Sequence, residues 1–575
     1  FSTHAAGVVI SDRPLVDIIP LQLRENDLSL TQYPMGNVEE IGLLKMDFLG
    51  LKNLSILDES IQLAKEVNGS SLDIFAIPIN DPETMALFRR SDTNGVFQFE
   101  SAGIKNVLRK LGPENLEDLV AVNALYRPGP MEQIDTFISR KKGQQKIDYL
   151  HPDLEPILEV TYGIMVYQEQ VMQVASTLAG FTLGEADILR RAIGKKEKAI
   201  LDREKKHFVD GAVSKGYPYQ TAEEIYHYIE RFANYGFNRS HSVAYSYIAY
   251  QMAYMKTHYP AAFFAALLNS ANPHSDKMNS YLLDVIKRAI KLTYPDINKS
   301  DWHYTVDGDT IRMGLSAIKS LRRDFISHII YERQQHGPYQ DFIQFLRRLP
   351  EKWLKDDLIE ALIYSGVFDS FGHTRASLLA SLPGMLSSIA YSGNNIDLIQ
   401  VLEPRYVEKE EKTEEELAQY EEQYLGYSLM PHPIEAYASL YKDDNRAYIA
   451  ELTEGKAVRT MGLIREVKRI KTKKGDPMAF VTLTDTTGQL SLTLFPEQYV
   501  RFIRLLKEGT LVVVGGKYES KRSDNQSSLI VQNMEELTHY IAQQPKKKKR
   551  CFILLSDAIY YDQQFQEIRQ LLKDY

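Results

Sequence analysis

Two periods of apolar residues alternate along the chain and set strand-rich ends around a helical middle. Near the start, Leu43-Leu44-Lys45-Met46-Asp47-Phe48-Leu49-Gly50 alternates with period two. Leu44, Met46 and Phe48 fall on one face, Leu43, Lys45 and Asp47 on the other, which predicts a strand with an apolar underside. Helical spacing takes over at Leu54, Leu57, Ile61 and Ala64, with Gly69 as the stop, and predicts a helix supporting that strand from behind. Residues 70–265 read as mostly helical. Thr182-Leu183-Gly184-Glu185 is a capping box. It opens a helix to about Lys196 whose apolar stripe is Ile188, Leu189, Ala192 and Ile193. Another helix starts after Asn238 and ends at Pro260, with His241, Tyr245, Ile248 and Met252 on one face. A short β insert at 302–313 turns through Asp307-Gly308-Asp309. Residues 403–424, rich in Glu and Lys, read as a solvated helix or linker. Strand-like runs follow at 457–471, 478–485, 489–495, 510–519 and 527–533, with a helix at 497–507 between the third and fourth. Five strands with a helix in that slot predict an OB-fold.

Composition narrows the class. A chain of 575 residues has length for three to five domains. Its 44% apolar and 25% charged residues suit an ordinary globular protein, and no 18-residue apolar run argues for a membrane helix. The single cysteine, Cys551, excludes an intrachain disulfide and a multi-cysteine zinc site and fits a reducing cytoplasm. The net charge of −8 speaks mildly against a nucleic-acid binder, but phosphate binding depends on local clusters rather than on the sum.

Such clusters exist. Lys45 beside Asp47 is either an exposed strand edge or a carboxylate offered to a divalent metal with a cation beside it. Tyr126-Arg127-Pro128-Gly129-Pro130 is a rigid turn that holds Arg127 in one place. Arg190, Arg191, Lys195 and Lys196 are either a solvated cationic helix end or a guanidinium pair for a triphosphate. In the predicted OB-fold, the loop after the first strand holds Lys468, Arg469, Lys471, Lys473 and Lys474, and the loop after the fourth holds Lys521 and Arg522. Those are the loops OB-folds use for oligonucleotides. Phe480 and Tyr518 are candidates for base stacking, with core packing the simpler reading of Phe480. Pro545 to Arg550 reads as a charged linker before a small C-terminal module starting at Cys551.

Taken together, His4 to Ile10, Leu43 to Leu51, Tyr126 to Pro130 and Asn238-Arg239-Ser240-His241-Ser242 resemble, in chain order, the alpha subunits of bacterial DNA polymerase III, the C-family replicative polymerases. The resemblance implies an α+β multidomain fold: second half of a polymerase palm (1–55), large mostly helical fingers (56–265), a helix-hairpin-helix and clamp-binding region (266–400), an acidic linker and helix (401–450), a β-barrel OB-fold (451–540), and a basic linker with the start of a small domain (541–575). It implies that Asp47 is one of three catalytic, metal-binding aspartates and that Lys45 lies at the same site. Arg190 and Arg191, with Lys195, Lys196 and Arg127, would hold the incoming nucleotide. His241 would face its sugar and exclude ribose, with Ser240 and Tyr245 as pocket walls. Two Mg²⁺ ions, primer-template DNA, deoxynucleoside triphosphates, single-stranded DNA at the OB-fold, a sliding clamp and other replisome subunits are the implied cofactors and partners, with no membrane.

Two departures temper this. The family's Pro-Asp-x-Asp-x-Asp strand is not in the sequence, so the chain is expected to be a fragment that is inactive alone. At Gly314-Leu315-Ser316-Ala317-Ile318-Lys319, where the family has a helix-hairpin-helix, Ser320-Leu321-Arg322-Arg323 replaces the glycine-containing hairpin. That puts backbone contact with phosphate in doubt, although Arg322 and Arg323 could supply charge instead. Three function classes follow: template-directed nucleotidyl transfer, a non-catalytic nucleic-acid-binding module built on the OB-fold, and an unrelated phosphotransferase. The ordered run of motifs disfavours the third.

Overall fold

The computed structural model describes residues 6–23, 29–69, 71–195, 198–233, 236–272, 275–392, 405–429, 432–442, 446–452, 457–472, 475–520 and 527–543. His4, Cys551 and the C-terminal module lie outside them. The chain divides into two compact units, Phe1–Met430 and Pro431–Tyr575. No helix among the described residues is long and apolar enough to cross a membrane.

The first unit begins with β1 (Gly7–Ile10), β2 (Leu21–Leu23), β3 (Ser29–Thr31), α1 (Met35–Glu40) and β4 (Leu44–Asp47). β1 and β4 pair antiparallel, with Gly7 opposite Asp47 and Val9 opposite Lys45. The covered face is not the one expected. Leu43 packs with Ile19, Val38 and Val9 in a small core, whereas Leu44, Met46 and Phe48 are 58%, 42% and 63% exposed. The 15–21 segment and α1 lie on the Lys45 side of this two-stranded sheet, so that side is the buried one.

Helices follow: α2 (Lys52–Asn68), α3 (Pro82–Arg90), α4 (Ala102–Leu111), α5 (Leu116–Leu125), α6 (Ile134–Lys141), α7 (Glu155–Leu158), α8 (Gln168–Ala179), α9 (Leu183–Lys195), α10 (Lys198–Ser214), α11 (Tyr219–Ala233), α12 (Arg239–His258), α13 (Pro260–Ser270) and α14 (Asp276–Lys287). α2 turns Ile56, Leu57, Leu63 and Ala64 inward and packs on α13 and α12 rather than behind the β1–β4 sheet. Its buried stripe is therefore rotated from the predicted one, and Leu54 stays exposed. α8 to α11 build a core of their own around Leu189, Phe208 and Tyr226.

α12 crosses the larger core and is tied along its length. Ser242 Oγ donates to Val120 O at 2.7 Å, Tyr250 Oη to Pro78 O at 2.7 Å and Gln251 Nε2 to Ile74 O at 3.2 Å. Its fully buried Lys256 pairs with Asp92 at 3.1 Å and Asp284 at 3.6 Å and donates to Asn94 O at 2.9 Å. Burial pushes the Lys256 ammonium below its usual range, and the two carboxylates work against that shift.

β5 (Lys291–Thr293), β6 (Thr305–Asp307) and β7 (Thr310–Arg312) form a three-stranded sheet in the order β5-β7-β6. α15 (Arg323–His336), α16 (Phe342–Arg347), α17 (Asp356–Tyr364), α18 (Arg375–Ser392) and α19 (Glu414–Leu425) complete the unit. At the suspect hairpin, Ser320 takes a left-handed φ of 70°. The backbone thus adopts the conformation a glycine would supply, at a cost of about 1 kcal/mol. The acidic segment, most of whose described residues are exposed, forms the helix α19, one of the two expected forms, but it is not solvated throughout. Glu421 of α19 is fully buried and accepts from Arg375 at 3.0 Å, Ser428 Oγ at 2.8 Å and the Leu429 amide at 3.1 Å. Arg375 also forks onto Asp369 at 3.1 and 2.7 Å.

The second unit is a closed barrel: β8 (Ala457–Lys471), β9 (Pro477–Asp485), β10 (Gly488–Leu494), β11 (Leu511–Ser520) and β12 (Ser527–Glu536), in the order β10-β12-β11-β8-β9. α20 (Pro496–Phe502) falls between β10 and β11, and α21 (Leu537–Gln543) ends the described residues. A parallel β10–β12 pair closes otherwise antiparallel strands, which is the OB topology.

Two outcomes check these tethers by chemical denaturation of the first unit's transition. Arg375→Ala strands Glu421 as a buried unpaired charge and should lower stability by about 3–5 kcal/mol. Ser320→Gly should raise it by about 1 kcal/mol.

Candidate nucleotide and nucleic-acid sites

The fingers residues meet at a backbone bridge. The Gln168 amide donates to Phe237 O at 2.9 Å and the Phe237 amide to Val166 O at 3.2 Å. This sets the start of α8 and the approach to α12. The Gln168 side chain then reaches two ways. Its Nε2 donates to Gly236 O at 3.1 Å, and its Oε1 accepts from Arg190 Nη1 at 3.2 Å.

The α9 capping box forms as its sequence predicts. The Thr182 amide donates to Glu185 Oε2 at 2.8 Å and the Glu185 amide to Thr182 Oγ1 at 3.3 Å. Those hydrogen bonds hold the Glu185 carboxyl below its usual range. Two residues on, Asp187 binds both arginines. Arg190 Nε and Nη2 donate to its Oδ1 at 2.8 and 2.7 Å, and Arg191 Nε lies 2.8 Å from its Oδ2. The Arg190 hydrogen bond, with Arg191 beside it, lowers the Asp187 carboxyl. Arg190 is therefore a held guanidinium with three of its five N–H groups engaged. The side chain of Arg191 is 68% exposed. Ile188, expected in the buried stripe, is 47% exposed on the same helix. The three-residue spacing Ala186–Leu189–Ala192 carries the buried face, so two of the four expected stripe residues are buried, and the side chain of Ile193 lies outside the described residues. Lys196 and the side chain of Lys195 lie outside the described residues.

Arg127 and His241 meet across Phe237. Gly129 takes a φ of 102° in the turn after Arg127, a conformation that needs glycine. The Arg127 guanidinium lies 3.8 Å over the Phe237 ring. Phe237 meets His241 edge-on at 5.4 Å, His241 stacks on Tyr245 at 4.2 Å, and Tyr245 contacts Phe97 at 5.0 Å. Asn238 caps α12, accepting from the His241 amide at 2.8 Å and from Ser240 Oγ at 2.6 Å. Ser240 and His241 remain exposed at the helix start. Arg239 instead acts as a clamp: its amide reaches Glu169 at 3.0 Å and its guanidinium Glu117 at 2.9 Å.

Asp47 and Lys45 sit on the small β1–β4 sheet, whose core is separate from those beneath α8, α9 and α12. Lys45 Nζ donates to Asp47 Oδ1 at 2.6 Å, with side-chain exposures of 12% and 40%. Among the described residues no group of three His, Cys, Asp or Glu is placed to hold a metal ion. The expected two-ion site thus finds one candidate ligand here, Asp47, and is not completed by these residues.

In the barrel, three of the residues assigned to the first loop stand on a strand. β8 continues through Lys471, and Lys468, Arg469 and Lys471 pair with Phe480, Ala479 and Pro477. Arg469 donates to Leu506 O at 3.0 Å, so it holds the segment after α20. Lys473, Lys474, Lys521 and Arg522 lie outside the described residues. Phe480 is not a core residue. Ala479, Val481 and Leu483 point inward, which turns Phe480 outward at 36% exposure. It stands between Lys468 on β8 and Thr493 on β10. The period-two alternation of β9 carries that signal in the sequence. Gln168 and Phe237 were not singled out, because their roles are set by residues 69 and 110 positions away in the chain.

Comparison with known proteins matches this order. Residues 1–50 match the bacterial DNA polymerase III alpha NTPase domain and residues 53–216 its finger domain. Residues 289–378 match a helix-hairpin-helix motif, and 458–537 an OB-fold nucleic acid binding domain. DNA polymerase III subunit alpha of Bacillus subtilis is 44% identical over 91% of this chain and 47% of its own length. Those of Halalkalibacterium halodurans and Staphylococcus epidermidis are 40% and 41% identical, over 100% and 98% of this chain and 51% and 53% of their own lengths. The chain spans about half the length of the curated relatives it matches. Identity at this level, carried through nearly every residue and with finger and NTPase domains in sequence, means that the chain belongs to the bacterial DNA polymerase III alpha subunit family.

Proposed function

We propose that this chain serves template-directed DNA synthesis, holding an incoming deoxynucleoside triphosphate in its fingers and single-stranded DNA on its OB barrel. The reaction is deoxynucleotidyl transfer. The primer 3′-oxygen loses its proton and bonds to the α-phosphorus, while the bond from that phosphorus to the bridging oxygen breaks and pyrophosphate leaves. The observation that carries the reading is the convergence at Phe237, where Arg127, His241 and, through Gln168, Arg190 are brought together.

Each residue has a distinct task. Arg190, fixed by Asp187 and Gln168, presents two further N–H groups to phosphate oxygens, and the more exposed Arg191 adds charge beside it. Charge growing on the leaving phosphates is neutralised there. His241, braced between Phe237 and Tyr245, forms the wall against the sugar. Lys195 and Lys196, which follow in the sequence, are assigned to the same phosphates. In this chemistry Mg²⁺ supplies further charge neutralisation, and Asp47 is the carboxylate this chain would offer it, oriented by Lys45. Primer-template DNA, a sliding clamp and other replisome subunits are the partners we propose for the whole protein.

A second reading, a binding module without chemistry, draws on the outward Phe480–Lys468 pair. An exposed ring beside a cation is what a stacking site for single strands requires. The two readings separate on nucleotide binding.

Calorimetric titration with dATP should show binding that Arg190→Ala and Arg191→Ala each weaken by about 10- to 100-fold, the value of a charge-assisted hydrogen bond. Single-strand binding with no dATP binding would leave only the second reading. For an oligodeoxythymidine probe, Phe480→Ala should weaken binding by about 5- to 100-fold through lost stacking. Lys468→Ala should reduce the slope of log K against log salt by about 0.7. Unchanged affinity and slope would remove the barrel face from the account.

A further inference from the structure

We infer that Gln168 is a positioning residue that couples the phosphate grip at Arg190 to the sugar wall at His241; the inference rests on the proposed function and deepens it. Gln168 is the first residue of α8. Its one carboxamide is split between two elements that are distant in sequence. The oxygen accepts a hydrogen bond from Arg190 on α9 at 3.2 Å, and the nitrogen donates one to Gly236 O at 3.1 Å. Its own backbone amide holds the neighbouring Phe237 carbonyl at 2.9 Å. Phe237 in turn carries the Arg127 guanidinium on its face and His241 at its edge.

The packing at this point is built for a side chain of this shape. A Cβ on Gly236 would come within 3.3 Å of Gln168 Cγ and 3.0 Å of the Phe232 ring. The glycine therefore lets the amide approach the backbone closely. A planar amide has a donor end and an acceptor end fixed about its plane. Rotating Gln168 to follow Arg190 turns its nitrogen against Gly236 O. A shift of Arg190 on engaging phosphate is thereby passed to the loop that sets Phe237 and the start of α12. Asp187 is the other holder of Arg190, but its contacts run within α9 and reach no part of the His241 wall through that pair. Gln168 joins the two halves.

Three variants of the full chain, titrated calorimetrically with dATP, ATP and dAMP, test this. Gln168→Ala should lose about tenfold in dATP affinity, keep its dAMP affinity, and lose preference for dATP over ATP. Gln168→Glu retains an acceptor for Arg190 but sets an oxygen against Gly236 O. It should keep the dATP-over-dAMP preference and lose the dATP-over-ATP preference. In the Arg190→Ala background, Gln168→Ala should change dATP affinity less than twofold. Wild-type dATP affinity in Gln168→Ala, or equal loss for dATP and dAMP, overturns the coupling while leaving the proposed function intact. Absence of dATP binding by the unsubstituted chain overturns the proposed function, and the inference with it.

Discussion

Two backbone hydrogen bonds between the Val166–Gln168 stretch and Phe237 decide where this molecule can place its polar side chains. They pin the first residue of α8 to the approach of α12, which joins two cores that otherwise pack separately. Everything proposed to touch nucleotide hangs from that junction. Arg190 arrives from α9 through Gln168, Arg127 from the turn after α5 through the Phe237 ring, and His241 from the first turn of α12. A slip of one residue in the bridge would reverse which side chains face the ring.

The junction is held in place from behind. α12 is anchored at its far end by a buried ammonium with two carboxylates and a carbonyl, an arrangement that costs desolvation and gains one fixed orientation. At the near end Arg239 takes the clamping role through Glu169 and Glu117, while His241 stays exposed with its ring held against Phe237 and Tyr245. Rigidity behind and exposure in front are what a preorganised binding site needs. The arginines follow the same logic. Asp187 spends some of their N–H groups on orientation and leaves others for a ligand.

Much of this was legible in the sequence where local rules govern. The Thr182–Glu185 cap, the Asn238 cap, the Gly129 turn and the five-strand barrel with its interposed helix follow from short-range chemistry. The sheet and helix faces were less legible. The β1–β4 pair buries its Lys45 side because α1 and the 15–21 segment lie there, and α2 turns toward α13; neither neighbour is visible in a ten-residue window. Glu421 looked solvated among its acidic neighbours, and its burial depends on Arg375, 46 residues earlier. Ser320 shows the converse. The missing glycine put backbone contact with phosphate in doubt; the backbone keeps a left-handed turn there with serine in it, so the turn survives while the side chain remains. Phe480 was misjudged by hydrophobicity although the alternation of β9 already turned it outward.

Amide hydrogen exchange of the chain with and without dATP tests the shared pocket most directly. The account predicts that dATP slows exchange in two separate stretches at once, 183–192 on α9 and 236–242 at the start of α12. Protection of one stretch without the other, or of neither, would contradict a single site built across the Phe237 bridge.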